Sequence, residues 1–232
     1  MQQIIALGGG GFSMEPDNLA LDQYILDQTP VERPKVCFLG QASAENENYL
    51  IRFYRAFASL GTYASNLSLF QPHTADIEDF ILSQDIIYVG GGNTKSMLAL
   101  WREWRLDTIL HKALENGVIL TGISAGSICW FEGGTTDSIP GKLSVLPCLG
   151  FLKGSCSPHY DGEAERRPAL HNFVANGDIV SAVAFDDGVA GHYIDGKLHA
   201  VVSSRPTAKG YTVEIINGEV VEKELDTRYL LA

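Results

Sequence analysis

One serine between two glycines, Gly122-Ile123-Ser124-Ala125-Gly126, carries the strongest chemical signal in the chain. It follows the apolar run "VILT" and precedes a short helical pattern, which is the context a G-x-S-x-G nucleophile turn requires. Small neighbours relieve the crowding of a sharp turn with strained backbone angles, and the hydroxyl is then held out at the edge of a sheet. The helix that follows turns its positive end, and the Ala125 N–H, toward an oxyanion forming there. A serine that merely N-caps a buried helix is the plainer reading, and the preceding strand weighs against it.

A serine nucleophile needs a base and a group to orient that base. Six histidines are available: His73, His111, His159, His171, His192 and His199. His159 stands apart, because in "SPHYDGE" it follows a proline at the end of the extended segment "LGFLKGSC". Its acidic partner must bond the imidazole nitrogen that faces away from Ser124. The residues alone leave Glu132, Asp137, Asp161, Glu163, Asp186 and Asp187 open for that role.

Two glycine runs add weaker signals. "GGGG" at 8–11 lacks the G-x-G-x-x-G pattern and no Walker lysine follows, so a tight strand-to-helix turn outweighs nucleotide binding. "GGGNT" at 90–94 opens a helix with backbone N–H groups free to face a ligand. Asn93 there is a candidate substrate contact as well as a candidate helix cap.

The elements that must hold these residues read as an α/β fold. "QIIAL", "KVCFLG", "LSLF", "DIIYVGGG" and "VILTGIS" are apolar strand patterns. They alternate with amphipathic helical patterns at 17–28, 45–61, 74–83 and 94–117. Fully apolar strands between helices predict a mostly parallel sheet with helices on both faces. After residue 133 the strands crowd together. "IDGK" and "INGE" carry hairpin-turn pairs, which predicts an antiparallel C-terminal extension of the same sheet. No linker divides the chain, so a single domain over 1–232 is expected.

Composition narrows the partners. A net charge of −11 weighs against nucleic acid and anionic membranes, and an acidic substrate would need a local cation. The four cysteines show no CxxC spacing and read as reduced core residues of a cytoplasmic protein. The first residues lack a basic segment before a long apolar stretch, so no signal peptide is expected, and no run approaches the ~20 apolar residues of a membrane helix.

Together, "GGGG", "YVGGGNT", "GISAGS", "TTD" and "PHY" run along nearly the whole chain in the order found in the peptidase E family, which the sequence resembles. Those proteins are cytosolic serine peptidases known as aspartyl dipeptidases. Cyanophycinases are more distant relatives, and the fold resembles class I glutamine amidotransferases. The resemblance implies Ser124 as nucleophile, His159 as base and Asp137 as the acid, with Glu132 as the alternative acid. It assigns the oxyanion hole to the Gly92 and Ala125 N–H groups. It also implies that Arg166 or Arg167 binds the substrate's β-carboxylate. A short peptide substrate, no metal or organic cofactor and a homodimer complete what it implies. An esterase or amidase, a cyanophycinase-like β-aspartyl peptidase and a non-catalytic binder of anionic metabolites are the competing readings.

Overall fold

The computed structural model describes residues 1–231. In chain order the elements are β1 (Gln3–Leu7), α1 (Gly11–Met14), α2 (Ala20–Leu26), β2 (Lys35–Leu39), α3 (Glu47–Ser59), β3 (Tyr63–Leu67), α4 (Ile77–Leu82), β4 (Ile86–Val89), α5 (Thr94–Glu103), α6 (Leu106–Glu115), β5 (Ile119–Ile123) and α7 (Ala125–Ile128). There follow β6 (Phe131–Ile139), β7 (Lys142–Pro147), β8 (Leu152–Ser157), α8 (Arg166–Ala175), β9 (Ser181–Phe185), β10 (Val189–Ile194), β11 (Lys197–Ser203), β12 (Gly210–Ile216), β13 (Glu219–Glu224) and β14 (Thr227–Tyr229).

The main sheet has eight strands in the order β14-β11-β10-β1-β5-β4-β2-β3. Five of them, from β1 through β3, run parallel, and β10 joins β1 antiparallel. Alternate side chains of each central strand enter opposite cores. On one face Ile4, Ala6, Cys37 and Leu39 pack with Met97, Trp101 and Leu110 of α5 and α6. On the other, Ile5, Leu7, Val36 and Phe38 meet Leu21 of α2 and Phe53 and Phe57 of α3. This double burial is why the strands read as unbroken apolar runs.

The C-terminal part departs from a simple extension. Strands β10, β11 and β14 extend the main sheet, while the others form a second sheet, β13-β12-β9-β8-β6-β7. One face of that sheet packs under α8 through Tyr160, Leu170, Val174, Ala184 and Val213. Both hairpin turns form as their residues require: Asp195 and Gly196 have φ 48° and 76°, and Asn217 and Gly218 have φ 53° and 86°. The helical pattern at 94–117 is two helices, broken where Arg105 takes φ 55°. The "LSLF" pattern at 67–70 also lies late, since the strand paired with β2 is Tyr63–Leu67 and the two share only Leu67.

His192 of β10 is buried between Tyr24 and Gln3. Its Nδ1 accepts from the Tyr24 hydroxyl at 2.9 Å and its Nε2 donates to Gln3 Oε1 at 3.0 Å. Burial, with His199 nearby, lowers its pKa from 6.5 to about 4. Neutral imidazole is therefore favoured by folding. Its contribution is complete above pH ~6.5 and is lost as pH falls toward ~4, up to about 3 kcal/mol. Urea unfolding of the wild type should lose about 2 kcal/mol more between pH 7 and pH ~4.5 than His192→Gln does. Equal losses would contradict this.

Candidate active site

Every residue from 118 to 131 is buried except Ser124, which is partly exposed. Ser124 sits between β5 and α7 with φ 57° and ψ −112°, a conformation a side chain rarely adopts. Tight packing of α7 on β4 and β5 holds the turn. A Cβ on Gly122 would lie 2.6 Å from the carbonyls of Gly126 and Val89, and one on Gly126 would strike the Val89 carbonyl. Glycine is thus required on both sides of the serine by close backbone approach.

The end of β1 organises the rest. The Leu7 carbonyl accepts from Ser124 N–H and the Gly8 carbonyl accepts from His159 N–H, each at 3.2 Å. Ser124 and His159 are thereby pinned to consecutive residues at the carboxyl edge of the sheet. His159 follows β8 and also has a positive φ, 54°. Its Nδ1 donates to Asp187 Oδ1 at 2.6 Å, with both side chains largely buried. Asp187 N–H in turn donates to Asp161 Oδ1 at 2.7 Å. A Cβ on Gly9 would collide with the Asp187 carboxylate, so the "GGGG" run makes room for this pair.

The acid facing His159 is therefore Asp187, not Asp137 or Glu132. The Asp137 side chain, 65% exposed on β6, stands 3.6 Å from the Arg166 guanidinium. Glu132 is bound at 2.8 Å by both Lys153 Nζ and the Gly154 N–H, and the Lys153 hydrogen bond holds its carboxyl below the usual range. Asp186, next to Asp187, accepts from Lys209 N–H at 2.9 Å, and burial pushes its carboxyl up to about 6.

The remaining residues divide sharply. An open cleft of about 250 Å³ is lined by Gly92, Asn93, Ser124, Asp137, Glu163 and Arg166 among others. Arg166, only 2% exposed, gives its Nε to Glu163 at 2.6 Å and Nη1 to the Thr135 carbonyl at 2.9 Å. Arg167 lies elsewhere, stacked 4.6 Å and 4.7 Å from the rings of Tyr160 and Tyr211. Its aromatic stacking removes it from the cleft. Asn93 lines the cleft, yet its side chain is already engaged: Oδ1 caps α5 by accepting from Ser96 N–H, and Nδ2 donates to the Ser138 carbonyl. The N–H groups of Gly92 and Ala125 have no hydrogen-bond partner among the described residues. Of the other histidines, His171 bonds Glu222 at 2.9 Å and His111 pairs with Glu115, on helix surfaces. Among the described residues no group of three or more His, Cys, Asp or Glu side chains could hold a metal ion. Among the described residues no helix is long and apolar enough to cross a membrane.

An α/β sheet with a strained serine at its carboxyl edge, and a carboxylate-paired histidine pinned to the next residue of the same strand end, has the parts of a serine peptidase. The family model of peptidase family S51 matches residues 4–201, and the chain belongs to that family: it is a serine peptidase. It is 55% identical over 230 residues to the uncharacterized peptidase YgaJ of Bacillus subtilis (strain 168), covering 99% of this chain and 100% of that protein. Among solved structures, a peptidase from an acI-B1 Actinobacterium aligns with a TM-score of 0.71 at 16% identity, over 98% of this chain and 95% of that one. A candidate Peptidase E protein from Listeria monocytogenes EGD-e aligns with a TM-score of 0.61 at 18% identity, over 97% and 100%.

Proposed function

We propose that the chain hydrolyses short peptides, chiefly dipeptides with an N-terminal aspartate, through Ser124, His159 and Asp187. The observation that carries this reading is the 2.6 Å bond from His159 Nδ1 to Asp187, with His159 anchored to Gly8 and the strained Ser124, at φ 57°, anchored to Leu7. With Nδ1–H given to the carboxylate, Nε2 is the nitrogen left to take the Ser124 proton as Oγ attacks the scissile carbonyl. The carbonyl oxygen becomes an oxyanion facing the free Gly92 and Ala125 N–H groups, each worth about 3 kcal/mol in such a site. His159 passes its proton to the leaving amine. It then deprotonates the water that attacks the acyl-enzyme, and the peptide's acyl half leaves as a free acid. The Asp187 side chain stabilises the imidazolium.

Substrate choice rests on Arg166, the cation that lines the same cleft as Ser124. Its contact with Asp137 is the longest and most exposed of its three, so a substrate carboxylate would compete for that position. All four cysteines are free, three of them buried, which supports a reducing compartment such as the cytoplasm.

The test is a panel of Asp-Leu, Glu-Leu, Asn-Leu and Ala-Leu. Asp-Leu should be cleaved fastest, and Arg166→Lys should lose about tenfold or more of kcat/KM on Asp-Leu relative to Ala-Leu. Equal turnover of Asp-Leu and Ala-Leu would contradict the substrate assignment. It would turn attention to esters and β-linked aspartyl peptides.

A further inference from the structure

We propose that Tyr49 is a positioning residue for the oxyanion site, acting through the Gly91 backbone; the inference rests on assigning the Gly92 N–H to the oxyanion. Gly91 N–H donates to the Tyr49 hydroxyl at 3.2 Å. The hydroxyl also bonds Ser13 Oγ at 2.8 Å. Since its lone pair takes the Gly91 proton, the phenol's own proton is free for Ser13. Two residues along, Asn93 N–H donates to the Ala42 carbonyl at 2.7 Å.

The peptide units on either side are thus each held by one bond, from two different elements. The unit between them, which carries the Gly92 N–H, has none among the described residues. Gly91 and Gly92 have no side chains to restrict that unit, and Gly92 sits at φ 137°. The direction of its N–H is therefore set by the two flanking anchors. The Ala42 anchor is backbone and is indifferent to sequence. The Tyr49 anchor is a side chain.

Packing does not explain the hydroxyl. Tyr49 is buried, its ring 5.7 Å from Phe12 and 5.1 Å from Phe38, where a phenylalanine would serve the core equally. A buried phenol oxygen is unfavourable unless bonded, and this one spends its bonds on Gly91, which packs against Ser124, and on Ser13. Ser13 belongs to α1, directly after the glycine run that houses Asp187, and its neighbour Phe12 is fixed by its N–H bond to Asp22 at 2.7 Å. Burial raises the phenol's pKa, so it stays neutral.

Tyr49→Phe keeps the ring and removes only the anchor. It should lower kcat about tenfold for the dipeptide the wild type cleaves fastest, with KM within about twofold. Phosphonylation of Ser124 by a fluorophosphonate, whose tetrahedral transition state uses the same N–H groups, should slow by the same factor. Ser13→Ala should cost less, about threefold, and the double variant should lose no more than Tyr49→Phe alone, because both break one chain of bonds. If Tyr49→Phe does not fold, Ser13→Ala carries the test, and an unchanged kcat there overturns the inference. So does a folded Tyr49→Phe whose kcat and phosphonylation rate lie within twofold of wild type, and that result leaves the triad standing. Wild-type activity that survives Ser124→Ala would remove the reading beneath, and the inference with it.

Discussion

Replacing Ser124 by alanine is expected to lower kcat/KM on the order of 10⁵-fold or more while leaving the fold intact. Among the described residues the Ser124 side chain makes no hydrogen bond, so its removal breaks none. What the position stores is backbone strain. A non-glycine residue at φ 57°, ψ −112° costs about 1–3 kcal/mol, and alanine keeps that cost because it keeps the Cβ. Glycine does not. Ser124→Gly should therefore be as inactive as Ser124→Ala yet more stable than wild type by about 1 kcal/mol. Calorimetry beside turnover checks both halves. A glycine variant less stable than the alanine variant would contradict the strain argument.

Asp187→Asn is the second large effect. In the proposed mechanism its carboxylate orients His159 and balances the charge the imidazole gains, so the amide should lower kcat by about 10⁴-fold. Two controls give the result its meaning. Glu132→Gln should change kcat by less than about threefold, since Glu132 is engaged with Lys153 and Gly154 at the surface. Asp137→Asn should not lower activity on Asp-Leu and should raise it a few-fold, because it removes a competitor for Arg166. A collapse in Asp137→Asn with activity retained in Asp187→Asn would reverse the assignment of the acid. Steady-state kinetics on the three variants settles the matter.

The central sheet was legible because its strands are buried on both faces, and a run such as Gln3–Leu7 has no solvated side to interrupt it. Ser124 was legible for a local reason: strand, glycine, serine, glycine and helix all lie within about ten residues. His159 followed from its place after an extended segment. Asp187 was legible only as one of six open acids, while the resemblance pointed to Asp137. It lies at the turn where the chain leaves β9 of the second sheet and enters β10 of the first, and that crossing is a property of tertiary pairing. Local cues existed only in fragments. Asp186-Asp187-Gly188 marked a turn, and the four glycines at 8–11 marked a close approach, but nothing in the spacing says that the two meet. The second sheet escaped for the same reason, since hairpin turns specify neighbours and not which sheet they join. Arg166 and Arg167 are adjacent in sequence, and only their opposite surroundings, carboxylates for one and tyrosine rings for the other, separate them.

The claim that Ser124 is the nucleophile can be tested without knowing the substrate. The wild type would be treated with a fluorophosphonate and the adduct located by mass spectrometry, with Ser124→Ala and Asp187→Asn in parallel. One adduct per chain on Ser124, absent from Ser124→Ala, much slower in Asp187→Asn and formed in step with loss of peptidase activity, is the result expected. A stoichiometric adduct on another residue, or peptidase activity that persists when Ser124 is fully modified, would contradict it.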